Sequence, residues 1–375
     1  MSGFSSGAAR RPRLQVLANG VPVSGACEAE VFSNSHYAAD RFNVSLALGA
    51  DPVWTAPAWS QQTDILLDVQ MGFLPDGAPE GTAAWVSLVQ GQVDTVTINP
   101  VTQMVRLDGR DLIASLIAAP TQETFANRTS SEIATILAGR HNLTAQAAPT
   151  ATPVGYYYEL EHDRITLNQF SRATTEWNLL VWLAQREGFD VWVQGTTLYF
   201  QPPQAATTPA LVLWPVASSF GAANVIELRM ERSLMLAGDI EVKVKSWNSR
   251  QQNAFTQTAS SSGGTGQGTP QSYVYVRPNL TDDAALQFAQ SRLAELTQHE
   301  RIITALMPGE LSLTPRSMVA LQGTGTAFDQ IYHVDSIERH LRFDGGFVQR
   351  VRAKNASTTD ATPPAANAGM SAIGP

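Results

Sequence analysis

The sequence contains only one cysteine, Cys27, among its 375 residues. A single thiol cannot form an intramolecular disulfide, so a fold held together by disulfides is excluded. We expect Cys27 to be a small buried hydrophobic residue, and an intermolecular bridge within an assembly is the alternative. None of the six histidines stands in an H-E-x-x-H motif or in a Cys/His spacing typical of zinc. The sequence therefore predicts no metal site.

Charged residues are scarce as well. They make up 15% of the chain, against about a quarter in a typical soluble protein, while 43% of the residues are hydrophobic. A low charged fraction is expected of a protein whose surface is largely buried against partners in an assembly. An ordinary soluble protein with a neutral surface rich in Thr, Ser and Gln would have the same composition. The formal net charge is −8 and no long basic run occurs, so the electrostatic footprint of a nucleic-acid-binding protein is missing.

Long apolar segments are absent too. No run approaches the length needed to cross a bilayer, so the sequence predicts no membrane association. Residues 1–7 are mostly small and polar, and no apolar segment of a signal peptide follows them. We therefore expect the protein to be made and kept in the cytoplasm, or exported only as part of something larger.

Signatures of catalysis and of cofactor binding are missing. No G-x-S-x-G nucleophile motif occurs, and the glycines between residues 263 and 268 lack the spacing of a dinucleotide-binding loop. Glu159 and Glu161, two residues apart on a predicted strand, could share one face, as glycoside hydrolysis sometimes requires. The same spacing occurs on many solvated strands. The sequence therefore favours a protein that is not an enzyme and binds no cofactor.

The pattern of apolar residues changes twice along the chain. Residues 12–110 read as about six short strands with regular turns, which indicates a sandwich or barrel. A helical pattern follows Thr129–Glu132, which has the form of a capping box, and a second helix is predicted from Thr175 to Gly188. A hairpin comes next, and strands return after about residue 225. The order is therefore a β region, an α/β insert and a second β region.

Aromatic residues supply the candidates for partner contact. Trp54 and Trp59 lie in a Trp- and Pro-rich predicted loop, Trp182 on the second predicted helix and Tyr157 on a predicted strand. Exposed aromatic side chains often anchor protein interfaces. The alternative for each is a core residue, or an exposed loop without a partner.

A family resemblance rests on three groups of residues. The first is Met307–Pro315, followed by V-A-L-Q-G-T-G at 319–325 and a Tyr332–His340 stretch that leads to Gly345-Gly346. The others are Asp108–Leu112 with Thr129–Ala134, and E-W-N-L-L with L-A-Q-R-E-G-F between residues 176 and 189. Together they resemble the phage late-control gene D proteins, the baseplate hubs of contractile tails, over roughly residues 105–350. The hub part of type VI secretion spike proteins is a related family.

This resemblance implies a mainly β fold, in which two tube-like β-barrel domains flank a small mixed α/β module. The predicted domains are residues 1–110 for the first barrel, 111–215 for the insert, 216–354 for the second barrel and 355–375 for a disordered tail. Within the second barrel, the sequence places a flexible arm at 250–272, which is rich in Gln, Ser, Gly and Thr, and a helix at 281–299.

The resemblance also implies a function. Such hubs are homotrimers whose barrels form a pseudo-sixfold ring that joins the hexameric tail tube to the central spike. The partners would be the tail tube protein, a separate spike protein and other baseplate proteins, and the location would be the virion after assembly in the host cytoplasm. The alternative is a carbohydrate-binding or polysaccharide-degrading protein at the tail tip.

Overall fold

The computed structural model describes residues 11–74, 83–121, 125, 128–151, 153–154, 175–203, 209–213, 223–248, 253–261, 271–277, 280 and 282–355. Tyr157, Glu159, Glu161 and the predicted disordered tail beyond residue 355 lie outside this part of the chain. The chain divides into two compact units. Unit 1 comprises Met1–Thr207, Pro308–Pro315 and Ser336–Arg350, and unit 2 comprises Thr208–Met307, Arg316–Asp335 and Val351–Pro375.

Unit 1 begins with seven strands and one short helix. They are β1 (Arg11–Ala18), β2 (Val21–Val23), β3 (Ala26–Asn34), β4 (Arg41–Ala47), α1 (Ala56–Gln61), β5 (Leu66–Leu74), β6 (Ala84–Asn99) and β7 (Met104–Asp111).

Antiparallel pairing joins these seven strands to a strand from late in the sequence. The order is β20-β3-β4-β7-β6-β5-β1-β2, where the part of β20 (Ile331–Arg342) in unit 1 is Ser336–Arg342. Strand β4 shows why one face is buried, because Phe42, Val44 and Leu46 alternate with polar residues and are all buried. The described strands form an open sheet and close no barrel.

The insert also belongs to unit 1. Its elements are α2 (Ile113–Ala118), β8 (Arg128–Thr129), α3 (Ser130–Arg140), β9 (Thr144–Ala147), β10 (Pro153–Val154), α4 (Glu176–Glu187), β11 (Asp190–Gln194) and β12 (Thr197–Gln201). Both predicted helices are confirmed. The Thr129 hydroxyl accepts from the Glu132 amide and the Glu132 carboxylate accepts from the Thr129 amide, which completes the capping box. Helix α4 begins after Thr175 and ends at Gly188, which has a φ of 69°.

A shared core and one long-range hydrogen bond explain why the insert and the first β region form one unit. Trp177 of α4 is buried, and its indole Nε1 donates to the Tyr37 carbonyl oxygen at 2.6 Å. Tyr37 itself packs against the apolar core that α2, α3 and α4 build. The predicted boundary between barrel and insert is therefore a boundary in sequence that does not separate two compact units.

The described part of unit 2 contains one helix, five strands before it and two after it, and parts of two more strands. The elements are β13 (Ala210–Leu213), β14 (Glu227–Arg232), β15 (Ile240–Asn248), β16 (Asn253–Ser261), β17 (Gln271–Val276), α5 (Asp282–Thr297), β18 (Arg301–Pro308) and β19 (Met318–Gln322), with the beginning of β20 and the end of β21 (Gly346–Asn355).

A three-stranded sheet in the order β16-β15-β17 lies in unit 2 and corrects one prediction. The sequence placed residues 250–272 in a flexible arm, yet 253–261 form β16, which pairs with β15 along its whole length. A polar sequence can form this strand because the hydrogen bonds of a β-ladder join backbone groups. Of the β16 side chains, only Phe255 and Ala259 join the apolar cluster with α5. The prediction of a flexible arm is wrong for these residues.

Candidate functional site

The first candidate surface is the outer face of the β16-β15-β17 sheet. Because side chains alternate along β15, Val242 and Val244 point to α5, and Lys245 and Trp247 point away from it. On the neighbouring strand, Val276 pairs with Lys245 and so lies on the same outer face.

Beside the ion pair of Lys243 with Glu241, this outer face carries three exposed apolar side chains that no described residue covers. Trp247 is 53% exposed, Val274 is 52% exposed and Val276 is 75% exposed. Scattered apolar side chains are normal on a surface, whereas neighbouring ones mark sites of association. The sequence-based candidates missed this face, although the alternation of β15 was the signal that could have placed Trp247 on its polar side.

The tryptophans predicted for partner contact are placed differently by the structure. Trp59 of α1 is only 2% exposed and belongs to the core of unit 1, so its predicted contact role is wrong for the side chain. Trp54 is half-buried and stacks on Trp59, with ring centroids 4.2 Å apart. Trp182 is also half-buried, packs against the insert core and lies under the Arg186 guanidinium. Contact through Trp54, Trp182 or Tyr157 stays a prediction.

A pocket of about 410 Å³ lies beside α1 and strand β6. Its acidic side chains already have partners, because Asp94 accepts two hydrogen bonds from Arg110 and Asp64 accepts one from Gln92. Apolar side chains, including Ile65, Val96 and Ile98, also line the pocket. Both carboxylates of the pocket are therefore bound by neighbouring side chains of the protein.

The residues at 323–325, which carry part of the family resemblance, have a structural role. Thr324 and Gly325 lie in a turn where both backbone amides donate to the Asp329 carboxylate, at 3.1 and 3.0 Å. Gly323 and Gly325 have φ values of 87° and 66°, which L side chains rarely adopt. The G-T-G segment therefore forms a turn that the Asp329 carboxylate holds in place.

The Met307–Pro315 part of the motif is held by a buried arginine. Arg339 is 2% exposed, and its guanidinium donates to the carbonyl oxygens of Glu310 and Leu313. Burial lowers the pKa of Arg339 to about 10, and the negative charge of Asp40 partly offsets that effect. The arginine thus stays charged at neutral pH and fixes the 308–315 segment in unit 1.

A buried carboxyl group, Asp111, ends β7 where the insert begins. Burial raises its pKa to about 8, and the charge of Asp40 adds to the rise. The backbone amide of Ile113 donates to Asp111 at 3.1 Å and works in the opposite direction. Because Asp111 lies in a packed junction and not in the pocket, we assign it to the fold.

Charged side chains cover the outer face of the unit 1 sheet. Cross-strand neighbours form ion pairs there, such as Arg342 on β20 with Glu28 on β3. Arg106 binds Asp108 at 3.1 Å on β7, and Arg350 binds Glu338 at 2.9 Å. Glu338, His340 and Glu30 form a further cluster of possible ligand atoms on this face.

No helix among the described residues is both long enough and apolar enough to cross a membrane. Comparisons with protein-family models and with curated proteins find no match. Solved structures do match. A tail protein from Neisseria meningitidis MC58 has a TM-score of 0.63 and 15% identity, with 92% of this chain and 97% of that chain covered. The 43 kDa tail protein of prophage MuSo2 from Shewanella oneidensis has a TM-score of 0.66 and 14% identity, with 91% and 98% covered.

A third similar structure is a component of a secretion system. An E. coli protein described as a component of the type VI secretion system, similar to the T4 bacteriophage tail proteins gp27 and gp5, has a TM-score of 0.50 and 11% identity. The alignment covers 93% of this chain and 79% of that one. The order of elements in both units is therefore shared with phage tail proteins over almost the whole chain. In fold, this chain is similar to these tail proteins, and a fold of this kind is what the resemblance over residues 105–350 implies.

Proposed function

We propose that this chain is a structural hub of a phage tail baseplate, where a homotrimer joins the hexameric tail tube to the central spike. The observation that carries the proposal is the fold shared with two tail proteins, one of them from a prophage, over more than nine-tenths of all three chains. A likeness of such extent leaves little room for a separate catalytic domain among the aligned residues. The two β regions would supply the tube-like domains, and the location would be the virion of a phage with a contractile tail.

Surface chemistry supports an assembly role. Only 15% of the residues are charged, and the outer face of the β16-β15-β17 sheet exposes Trp247, Val274 and Val276. Obligate assemblies bury apolar surface at the centre of each interface, commonly more than about 2,000 Å² in all. We propose that this face is buried against a neighbouring copy in the trimer, and that spike and tube proteins bind other surfaces.

Light scattering on the purified protein tests the trimer. We expect a mass three times the chain mass of 40.4 kDa over a wide concentration range. The variant Val276→Asp should weaken the trimer at least tenfold in dissociation constant, or about 1.4 kcal/mol, because a charge would be buried without a partner.

Val101→Asp is the matched control, since Val101 is 90% exposed in a turn of unit 1 and its change should leave the mass unaltered. A stable monomer that also binds host glycans would instead support the carbohydrate-binding alternative. If the Val276→Asp variant remains a trimer, the hub proposal stands, but the outer face of the β16-β15-β17 sheet is not part of the trimer interface.

We further propose that the chain is not an enzyme. The best candidates for a catalytic pair in the sequence are Glu159 and Glu161, and the described pocket holds carboxylates already bound by other side chains. The double variant Glu159→Gln, Glu161→Gln should assemble into tails at the wild-type level. Tails with either protein should degrade host cell wall and polysaccharide equally. A tenfold or larger drop in degradation by the variant, with assembly unchanged, would show that the chain is an enzyme and that these glutamates act in catalysis.

A further inference from the structure

Three possible ligands for a metal ion meet on the outer face of the unit 1 sheet. Glu338 and His340 are two residues apart on β20, so their side chains point to the same face. Glu30 lies directly opposite His340 in the antiparallel pairing of β3 with β20. One imidazole and two carboxylates from two neighbouring strands therefore converge by register, without a contribution from any loop.

The distances suit a shared ion better than a direct hydrogen bond. His340 Nε2 lies 3.4 Å from Glu338 Oε1 and 3.9 Å from Glu30 Oε1. An N–H···O hydrogen bond spans about 2.7–3.2 Å. A tetrahedral zinc ion with bonds of about 2.0–2.2 Å instead separates neighbouring ligand atoms by about 3.3–3.5 Å. All three ligand atoms lie within 4.8 Å of one another, so small side-chain rotations would complete the geometry.

An arginine already orients one of the carboxylates. Arg350 Nη1 donates to Glu338 Oε2 at 2.9 Å, while Oε1 is the oxygen that lies near His340. Carboxylates that bind metals are commonly held in this way by a hydrogen bond to their second oxygen. Because this hydrogen bond uses Oε2, Oε1 stays available to a metal ion, and the Glu338 side chain is held in place without one.

The neighbouring cations do not take the ligand positions. Arg342 and Arg106 are near enough to attract the charge of Glu30, but they donate their hydrogen bonds to Glu28 and Asp108. The side chains of Glu30, Glu338 and His340 are 42%, 28% and 31% exposed. An ion could therefore enter from solvent, and water could complete its coordination shell.

We propose that Glu30, Glu338 and His340 form a binding site for one divalent transition-metal ion of the zinc class. A mixed nitrogen and oxygen ligand set with one imidazole suits Zn²⁺ or Co²⁺ better than Mg²⁺ or Ca²⁺, which prefer oxygen alone. The bound ion would tie β3 to β20 and so stabilise the sheet of unit 1. This role is independent of tail assembly and of the proposed hub function.

Titration of the full-length protein with Co²⁺ and then with Zn²⁺, after chelator treatment and dialysis, tests the site. We expect one saturable Co²⁺ site per chain, seen in the visible absorption spectrum, which Zn²⁺ displaces. His340→Asn and Glu30→Gln should each weaken the affinity by at least about tenfold. Saturating Zn²⁺ should also raise the thermal unfolding midpoint of the wild-type protein and not that of either variant.

Glu28→Gln is the matched control, because Glu28 lies on the same face of β3 and pairs with Arg342. It should retain the wild-type affinity within twofold. Circular dichroism checks the fold of every variant, and the exposed Glu30 provides a test that does not depend on His340→Asn folding. No saturable binding up to millimolar Co²⁺ or Zn²⁺, or equal binding by wild type and both ligand variants, would overturn the proposal.

Discussion

Replacing Asp111 by asparagine should stabilise the protein against unfolding by several kcal/mol at pH 8.5, and by much less near pH 4.5. Asp111 is 5% exposed at the end of β7, and Asn is nearly the same shape. Its side-chain oxygen can accept the Ile113 amide hydrogen bond that Asp111 accepts now. The variant removes only the ability to ionise in a place where ionisation is unfavourable.

The direction follows from the raised pKa. Burial, followed by repulsion from Asp40, raises the pKa of Asp111 from 3.8 to about 8. Between these two values the unfolded chain releases the proton and the folded chain keeps it, so the free energy of unfolding falls as the pH rises. The stability that the neutral carboxyl provides is complete below pH 3.8 and is lost as the pH passes through about 8. At about 1.36 kcal/mol per pKa unit, the loss is of the order of 5 kcal/mol.

Urea denaturation of wild type and variant at pH 4.5, 6.5 and 8.5 provides the measurement, and the difference between the two proteins cancels the titration of other groups. Asp108→Asn is the control on the same strand. Asp108 is exposed and bound to Arg106, so its loss should change stability by less than about 1 kcal/mol at any of these pH values. A difference between Asp111→Asn and wild type that does not vary with pH would refute the prediction.

Gly91→Ala is expected to prevent the sheet of unit 1 from forming normally. Gly91 lies in β6 opposite Asp111 of β7. A Cβ atom at residue 91 would lie 2.0 Å from the Arg110 carbonyl oxygen and 2.7 Å from the Asp111 Cα. These are backbone atoms of the paired strand, so the strands themselves must separate. We expect a loss of at least about 3 kcal/mol, the upper part of the range for overpacked sites, or insoluble protein.

Gly139→Ala is the matched control for that substitution. Gly139 lies in α3, and an added Cβ would meet no atom within 4 Å. Alanine there should stabilise the protein by roughly 0.5–1 kcal/mol, because glycine is a poor helix former. Expression yield and the urea midpoint are compared for both variants under the same conditions. An unfolding midpoint of Gly91→Ala equal to that of wild type would show that β6 and β7 are not paired in this register.

Local signals in the sequence predicted local structure well. The capping box at Thr129 and the Thr175–Gly188 limits of α4 are confirmed because caps act within a few residues of the helix end. A similarly local rule applies at Asn19-Gly20, a dipeptide that favours tight hairpin turns, where the two residues have φ values of 51° and 81°. Helix α5 begins with Asp282 and Asp283 in its first turn, within one residue of the predicted start.

Features set by distant partners could not be predicted. Strand β16 has a composition typical of a loop, and the hydrogen-bonding groups of β15 make it a strand. Trp59 was a candidate for partner contact because its loop is rich in Trp and Pro, whereas the core of unit 1 covers it. The Glu30 and His340 pair required the register of two strands from opposite ends of the chain. Hydrophobic periodicity shows which face of a strand is buried, but it does not show which distant strand lies beside it.

The sheet of unit 1 has a consequence for biosynthesis. Its strand β3 leaves the ribosome long before β20, whose Arg342 binds Glu28 across 314 residues. Until then, the backbone donors and acceptors along one edge of β3 lack their β20 partners in the nascent chain. An open strand edge of this kind can pair with strands of other chains. Unit 1 is therefore completed only after β20 has been translated, and chaperones have a long interval in which to act on it.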